Sequence, residues 1–383
     1  MKKLIVLITA IIMTASLCAC GNTERTPQVY ELSTVTVDAT CLTEGYTEHV
    51  YSDGYVARDT FTARTAHRYV DVTFGTEEHV KRKICQECGK EQLTYEQDVI
   101  STEVVVDHNR PRPVFTGADV MAVAMILEET ADEAIRAIRV AESHGARGFM
   151  IYVTTLLDAY KTREHLERIF HCTDLPILAI AYSSQSADWM ADLLKLSVEC
   201  GAAAVDLQGF MWSPVDVRSE QDTYRSYWES KGFSMSFVSS HPAEVCLNPT
   251  VLARQKVFID EIQAMGAEVL LSMHCSVALN AEQTVDLARF VEAQGVDVIK
   301  IVLGGSSKAT VIEHLKATMT LSETLSCKFS VHGQSTLSRM MCPMFGSYIA
   351  FCVDEYTQFE TNIQIDLDTM IGILDSPEMQ GAV

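Results

Sequence analysis

The chain has 383 residues, of which 48% are hydrophobic and 21% charged. That is longer than one typical domain and apolar enough to bury a sizeable core, so wholesale disorder is excluded. The 30 Lys and Arg stand against 51 Asp and Glu, a net charge of −21. No basic stripe offsets this charge, which repels a phosphate backbone and removes nucleic acid from the partners.

Lys2 and Lys3 form a short basic stretch, and the apolar run 4–16 follows it, the pattern of an export signal. Its end, Leu17-Cys18-Ala19-Cys20, resembles the bacterial lipobox. The resemblance implies that Cys20 is lipidated and becomes the new N-terminus, which places the protein on the extracytoplasmic face of the cell membrane. The alternative is a membrane-spanning anchor, which needs about 20 apolar residues. This run stops sooner, in the polar segment 21–27. Cleavage removes Lys2 and Lys3 and leaves the mature chain more acidic still.

Residues 21–40 lack helical periodicity and read as a tether. From 41 to 108 short alternating segments, such as 55–61 and 69–74, predict a small β-rich domain without a convincing helix. Its Cys85-Gln86-Glu87-Cys88-Gly89 turn has the spacing that lets two thiolates share one tetrahedral metal, and Cys41 and His67 are the candidates to complete the set. A Cys85–Cys88 disulfide and two free thiols are the competing readings. The surroundings of Cys41 and of the Cys85 turn resemble the zinc-ribbon-like modules of bacterial surface proteins, although a second C-x-x-C near Tyr51-Ser52-Asp53-Gly54 is absent. A zinc ion there would be structural and would compensate for a small core. Beyond these three cysteines, seven are scattered from Cys172 to Cys352, several in apolar runs such as Ile349-Ala350-Phe351-Cys352-Val353 where a buried thiol is the commoner state.

Asn109-Arg110-Pro111-Arg112-Pro113 interrupts regular structure, and the texture then changes to apolar runs alternating with amphipathic helices. The predicted strands are 119–126, 148–154, 175–182, 203–207, 268–274, 296–303, 327–332 and 347–353. The helices are 131–143, 163–170, 186–199, 249–265, 281–294, 308–324, 335–341 and 366–374. A long insertion, 209–248, follows strand four. Eight β-then-α units predict an α/β fold, a (β/α)8 TIM barrel over 114–383 preceded by the small β-rich domain. An open doubly wound sheet is the alternative, weakened because Leu127-Glu128-Glu129-Thr130 offers no glycine-rich phosphate turn.

In such a barrel chemistry sits at the C-terminal ends of the strands. Lys300, between Val298-Ile299 and Ile301-Val302, must point into the barrel or bear a heavy desolvation cost. A neutral amine there can attack a ketone and form an imine, which acidifies the adjacent carbon. His274, on the neighbouring strand, is placed to take and return that proton. A buried ion pair for Lys300 and a core histidine for His274 are the plainer readings of the same residues.

The stretch from Leu271-Ser272-Met273-His274 to Asp297-Val298-Ile299-Lys300-Ile301-Val302-Leu303, continued by Phe329-Ser330-Val331, Leu337-Ser338-Arg339 and Phe345-Gly346-Ser347, resembles the type I 3-dehydroquinate dehydratases. The resemblance runs over most of 115–376. It implies that His274 and Lys300 are the catalytic histidine and Schiff-base lysine, that Arg339 holds a substrate carboxylate, and that catalysis needs no cofactor. The implied partner is a small hydroxy-keto acid. The sequence departs from the family at the ends of strands two and three, where Ile151, Val153 and Tyr182 stand in place of a glutamate and two arginines. It departs again at Gln208, in place of a glutamate, and at 356–360, in place of the substrate loop. These departures bear on recognition of 3-dehydroquinate more than on imine formation.

The insertion brings Trp212, Tyr224, Tyr227, Trp228, Phe233, Phe237 and His241, which suit a lid over the site or else an aromatic mini-core or homodimer contact. An exported enzyme fits scavenging of a hydroaromatic acid, or action on another carbonyl compound, better than an intracellular biosynthetic route. Three readings remain open: a dehydratase-like lyase with a class I aldolase-like variant, a non-catalytic ligand-binding surface lipoprotein on a degenerate barrel, and a scaffold whose working part is the small β domain.

Overall fold

The computed structural model describes residues 30–376 except 42, 44, 53–55, 63–64, 73–79, 90, 96–99, 118–119, 184, 213–245, 247, 276–277 and 355–362. Cys20 and most of the aromatic insertion therefore lie outside the described residues, as does the 356–360 segment. No described helix is long and apolar enough to cross a membrane.

The chain divides into two compact units, one up to Arg68 and one from Tyr69 onward. The first holds an antiparallel sheet of β1 (Glu31–Val37), β2 (Gly45–Tyr51) and β3 (Val56–Thr62), with Val35 opposite Glu48 and His49 opposite Ala57. The second opens with another antiparallel sheet, β4 (Tyr69–Val72), β5 (Val80–Cys85) and β6 (Glu91–Tyr95). Strands β2 to β6 lie within 41–108, where short strands are expected, whereas β1 falls within 21–40, read from the sequence as a tether.

The rest of the second unit is a (β/α)8 barrel. Its parallel strands are β7 (Met121–Ile126), β8 (Gly148–Tyr152), β9 (Ile177–Ile180), β10 (Ala204–Gln208), β11 (Glu268–His274), β12 (Val298–Leu303), β13 (Lys328–Gly333) and β14 (Ile349–Val353). They lie side by side in chain order, and β14 pairs with β7, Ile349 beside Met121. The remaining seam is joined where Tyr348 N–H donates to the Phe329 carbonyl at 2.7 Å and Val331 N–H to Ser347 Oγ at 3.0 Å. A two-residue strand, β15 (Ile365–Asp366), adds to the outer end of β14 and was not foreseen.

The helices are α1 (Ala131–Ser143), α2 (Arg163–Phe170), α3 (Ala187–Glu199), α4 (Pro249–Ala264), α5 (Ala281–Glu292), α6 (Lys308–Thr324), α7 (Thr336–Met344) and α8 (Leu367–Leu374). Their starts are written in the sequence. Asn280 and Gln283 form a reciprocal capping box, while Ser186, Ser307, Ser335 and Asp366 each accept a first-turn N–H. In α1, Ala131, Ala134, Ile135, Ile138 and Ala141 make the buried stripe of an amphipathic helix.

Two apolar layers result from strand alternation. Ala122, Ala124, Ile126, Phe149 and Ile151 pack outward against the helices, whereas Met121, Val123, Met150, Leu178, Ile180, Leu270 and Val298 fill the interior. Phe115, fully buried, stoppers the N-terminal end of the interior. The Glu268 carboxylate accepts its N–H at 2.5 Å, and Tyr348 O–H donates to its carbonyl at 2.7 Å. The opposite, C-terminal end of the strands is the end at which such barrels carry their sites.

Candidate active site

On β12, Val298 belongs to the interior while Ile299, Ile301 and Leu303 pack against helices, so alternation turns Lys300 inward. It is 4% exposed. In-register pairing lines up Gln208, Ser272, Lys300 and Ser330 on four neighbouring strands, a polar row above the apolar filling. All four are buried.

Lys300 does not stand alone there. Its Nζ lies 3.3 Å from Oδ2 of Asp206, a carboxylate on β10 that is itself buried. Asp206 Oδ1 accepts from Ser272 Oγ at 2.5 Å, and Oδ2 accepts from Tyr182 O–H at 3.0 Å. Tyr182 Oη and Ser272 Oγ are 2.7 Å apart, which closes a triangle of three side chains, two hydroxyls and one carboxylate, beside the lysine. Burial, and then the Asp206 charge, hold the Tyr182 phenol well above its ordinary range. The ammonium also faces the rings of Phe351 at 5.1 Å and Tyr182 at 5.7 Å. The plainer expectation for Lys300, a buried ion pair, is thus what the resting structure contains.

One level further out, His274 on β11 and His332 on β13 both lie beside Val302 in register. The His274 ring meets Tyr182 edge-on at 5.6 Å, and His332 meets Phe351 at 5.4 Å. His332 is held well below the usual imidazole range, by burial first and then by the positive charges of Arg339, Lys300 and His274. Arg339, in the first turn of α7, is 9% exposed, and burial lowers its guanidinium to about 10. Its Nη1 donates to the neutral Gln364 at 3.0 Å, and its Nε is buried without a hydrogen-bond partner. Among the described residues no carboxylate pairs with it.

The position of α7 is fixed from behind. Ser338 Oγ accepts the Gly333 N–H at 3.0 Å and lies 3.0 Å from Nδ1 of His314, a histidine buried on α6. Lys300, His274 and Arg339 therefore all belong to one end of one barrel, each set there by a strand end or a helix start.

Strand two needs a correction. Ile151 and Val153, taken as the residues standing at the family's glutamate and arginine positions, face the helical layer. The inward residue is Tyr152, packed edge-on against Tyr182 at 5.9 Å. Alternation allows only one of three consecutive strand residues to face the other way from its neighbours. Tyr182 does face the interior, as expected from its position after β9.

Asp206, Ser272, Tyr152, His332 and Gln364 were not assigned roles from the sequence. The signal for Asp206 was present: a charged residue between Val205 and Leu207 in a buried strand carries the argument that singled out Lys300. The others are polar or aromatic residues of ordinary appearance whose significance comes only from register.

In the first unit, Cys41 is buried and His67 half-buried, and the Thr65 N–H donates to the Thr40 carbonyl at 2.9 Å, which draws the two segments together. Their sulfur and ring nitrogen lie within 4.8 Å of each other. In the second unit, Cys85 ends β5 and Cys88 follows in a turn closed by Gly89 N–H to Cys85 carbonyl at 2.9 Å, with Gly89 at φ +77°. Their sulfurs also lie within 4.8 Å of each other. No described cysteine is in a disulfide, so the disulfide reading of Cys85 and Cys88 is not realised.

No family model matches the sequence, and no curated protein matches it. Solved structures do resemble it. The type I 3-dehydroquinate dehydratase of Clostridium difficile, determined with covalently modified comenic acid, superposes with a TM-score of 0.52 at 14% identity, over 73% of this chain and 98% of that one. The 3-dehydroquinate dehydratase of Geobacillus kaustophilus gives a TM-score of 0.50 at 14% identity, over 67% and 92%. At such identity the likeness to these dehydratases is one of fold.

Proposed function

We propose that the barrel is a carbon–oxygen lyase of the type I 3-dehydroquinate dehydratase kind, acting on 3-dehydroquinate or a related hydroxy-keto acid through a Schiff base on Lys300. The observation that carries this reading is the inward, 4% exposed Lys300 at the C-terminal end of the barrel. Its amine adds to the substrate carbonyl and water leaves, giving an iminium that acidifies the neighbouring carbon. His274 takes the proton from that carbon. Arg339, buried and bonded only to a neutral amide among the described residues, is suited to a substrate carboxylate.

The Lys300–Asp206 pair and the inward Tyr152 and Tyr182 favour a second reading, in which the barrel binds a ligand without catalysis. A class I aldolase-like reaction shares the imine and differs in the bond that breaks. Borohydride reduction in the presence of 3-dehydroquinate separates these readings. A mass adduct on Lys300 together with release of the dehydration product supports the lyase, and an adduct with carbon–carbon cleavage of a keto acid supports the aldolase. No adduct with 3-dehydroquinate or a panel of keto acids, with ligand binding unaffected by Lys300→Ala, leaves the binding protein.

For the amino-terminal parts, we infer a structural zinc held by the pairs Cys41/His67 and Cys85/Cys88, and a lipid anchor on Cys20. Two thiolates on a C-x-x-C-G turn supply half of a tetrahedral zinc shell, and a thiolate with an imidazole supplies the rest. Partition of the full chain into detergent, lost on Cys20→Ala, tests the anchor.

A further inference from the structure

The triangle of side chains beside Lys300, Asp206, Tyr182 and Ser272, has three edges but too few protons. Tyr182 to Asp206 is 3.0 Å, Ser272 to Asp206 is 2.5 Å, and Tyr182 to Ser272 is 2.7 Å. With Asp206 ionised, the two hydroxyl groups carry two protons, so one edge of the three brings lone pairs together with nothing between them. A third proton on Asp206 completes the ring, in which the acid, the phenol and the hydroxyl each donate once and accept once. The nearest source of that proton is the Lys300 ammonium, whose Nζ lies 3.3 Å from Oδ2.

The resting pair is charged, and its burial bears on the same transfer once a carbonyl is at hand to receive the amine. The side chains of Lys300 and Asp206 are 5% and 0% exposed, and a buried ion pair keeps both desolvation penalties for as long as both charges persist. Moving one proton removes both charges together. Tyr182 matters here because the family resemblance implies an arginine at its position. A guanidinium beside Asp206 would hold the carboxylate in its charged form, whereas a phenol hydrogen-bonds to the carboxylate and to the acid alike.

Resting on the imine reading of Lys300, we propose that Asp206 is a further catalytic residue: it takes the proton that makes the Lys300 amine nucleophilic and returns it to the departing carbonyl oxygen, with Tyr182 and Ser272 as positioning residues. The balance is as follows. An N–H bond of the ammonium breaks and an O–H bond forms on Asp206. The free electron pair of Nζ bonds to the carbonyl carbon, and the C=O π pair goes to oxygen. That oxygen takes one proton from the added nitrogen and the second from Asp206, and leaves as water. The iminium cation then stands opposite a regenerated Asp206 carboxylate. His274 is left to the later proton at carbon, so the two proton transfers have separate agents.

The test is the rate of borohydride-trapped adduct on Lys300 in the full chain, over a series of 3-dehydroquinate concentrations and with a parallel panel of small keto acids. The compared proteins are unsubstituted, Asp206→Asn, Tyr182→Phe and Ser272→Ala. Asp206→Asn is expected to slow adduct formation by roughly 100-fold or more, the scale of a lost general acid–base group, with little change in the half-saturating concentration. Tyr182→Phe and Ser272→Ala, which each delete one hydroxyl, are expected to slow it less and again to leave half-saturation in place. A merely structural role would move both quantities. Adduct formation at the unsubstituted rate in Asp206→Asn overturns the proposal. If that variant does not fold, unsubstituted rates in both hydroxyl deletions overturn it. Absence of any adduct in the unsubstituted protein overturns the imine reading itself and this inference with it, an outcome distinct from a variant that traps normally.

Discussion

Lys300 and Asp206 are 94 positions apart in the chain and meet inside the barrel with Nζ 3.3 Å from Oδ2. The two are not equivalent in what they keep when the other is removed. Without Lys300, Asp206 still accepts from Tyr182 and Ser272. Without Asp206, Lys300 has no other hydrogen-bond partner among the described residues. Loss of one member of a buried ion pair costs about 3–5 kcal/mol when the other charge is stranded. Asp206→Ala is therefore expected near that range in urea unfolding, Lys300→Met clearly below it, and the double variant below the sum of the two. Equal losses in the single variants, adding in the double, would show that the pair is not coupled.

Gly333 ends β13 against α6, and a Cβ there would stand 2.3 Å from Cε1 of His314 and 3.2 Å from Ser338 Oγ. Gly333→Ala must push His314 or α7 aside, an overpacking that costs about 1–3 kcal/mol. Ser338 precedes Arg339, so the displacement is expected to raise the half-saturating concentration of a carboxylate substrate as well as to lower the unfolding midpoint. Truncation of the offending ring by His314→Ala should relieve part of the strain in the double variant. Strictly additive destabilisation in that cycle would mean that the steric contact is not the cause.

Much of the barrel was legible because its signals are local. Apolar runs alternating with capped amphipathic stretches gave β11 and α6 to the residue. Strand two was drawn two residues too long because Val153 and Thr154 suit a strand in isolation, whereas the chain turns there, with Thr155 N–H on the Tyr152 carbonyl at 2.9 Å. Helix α7 continues three residues past the expected end at Met341, and its last turn accommodates Pro343. Lys300 and His274 could be nominated from one strand each. The Asp206–Ser272–Tyr182 triangle could not be, because it joins two strands and the segment after β9, whose relative placement no local pattern records.

The cysteine and histidine pairs give a prediction about metal. The zinc proposed above takes four protein ligands in all, so the purified full chain is expected to carry one zinc per molecule. Because such binding contributes directly to folding, strong chelation at neutral pH should lower the unfolding temperature, and zinc should restore it. Cys85→Ser should abolish the zinc and the chelator effect together, with the Lys300 region unaffected as judged by borohydride trapping. A metal content near zero after preparation without chelator, with no thermal response to zinc, would remove the metal from the account.

His332 supplies the pH dependence. Burial and the neighbouring charges of Arg339, Lys300, His274 and His314 hold its folded-state value well below the ordinary one, and burial lowers His314 in the same direction. Both rings are then neutral in the folded protein and take up a proton on unfolding once the pH is below about 6.5. The unfolded state binds more protons there, so this contribution to stability is present in full above that pH and is lost on acidification. For His332, held well below the ordinary range, the slope approaches about 1.4 kcal/mol per pH unit below 6.5, and His314 adds to it in the same direction. Urea unfolding between pH 7.5 and 5 should show the decline, and His332→Gln should flatten it by one histidine's share. An unchanged slope in that variant would mean that the ring is protonated in the folded barrel, opposite to what its cationic neighbours require.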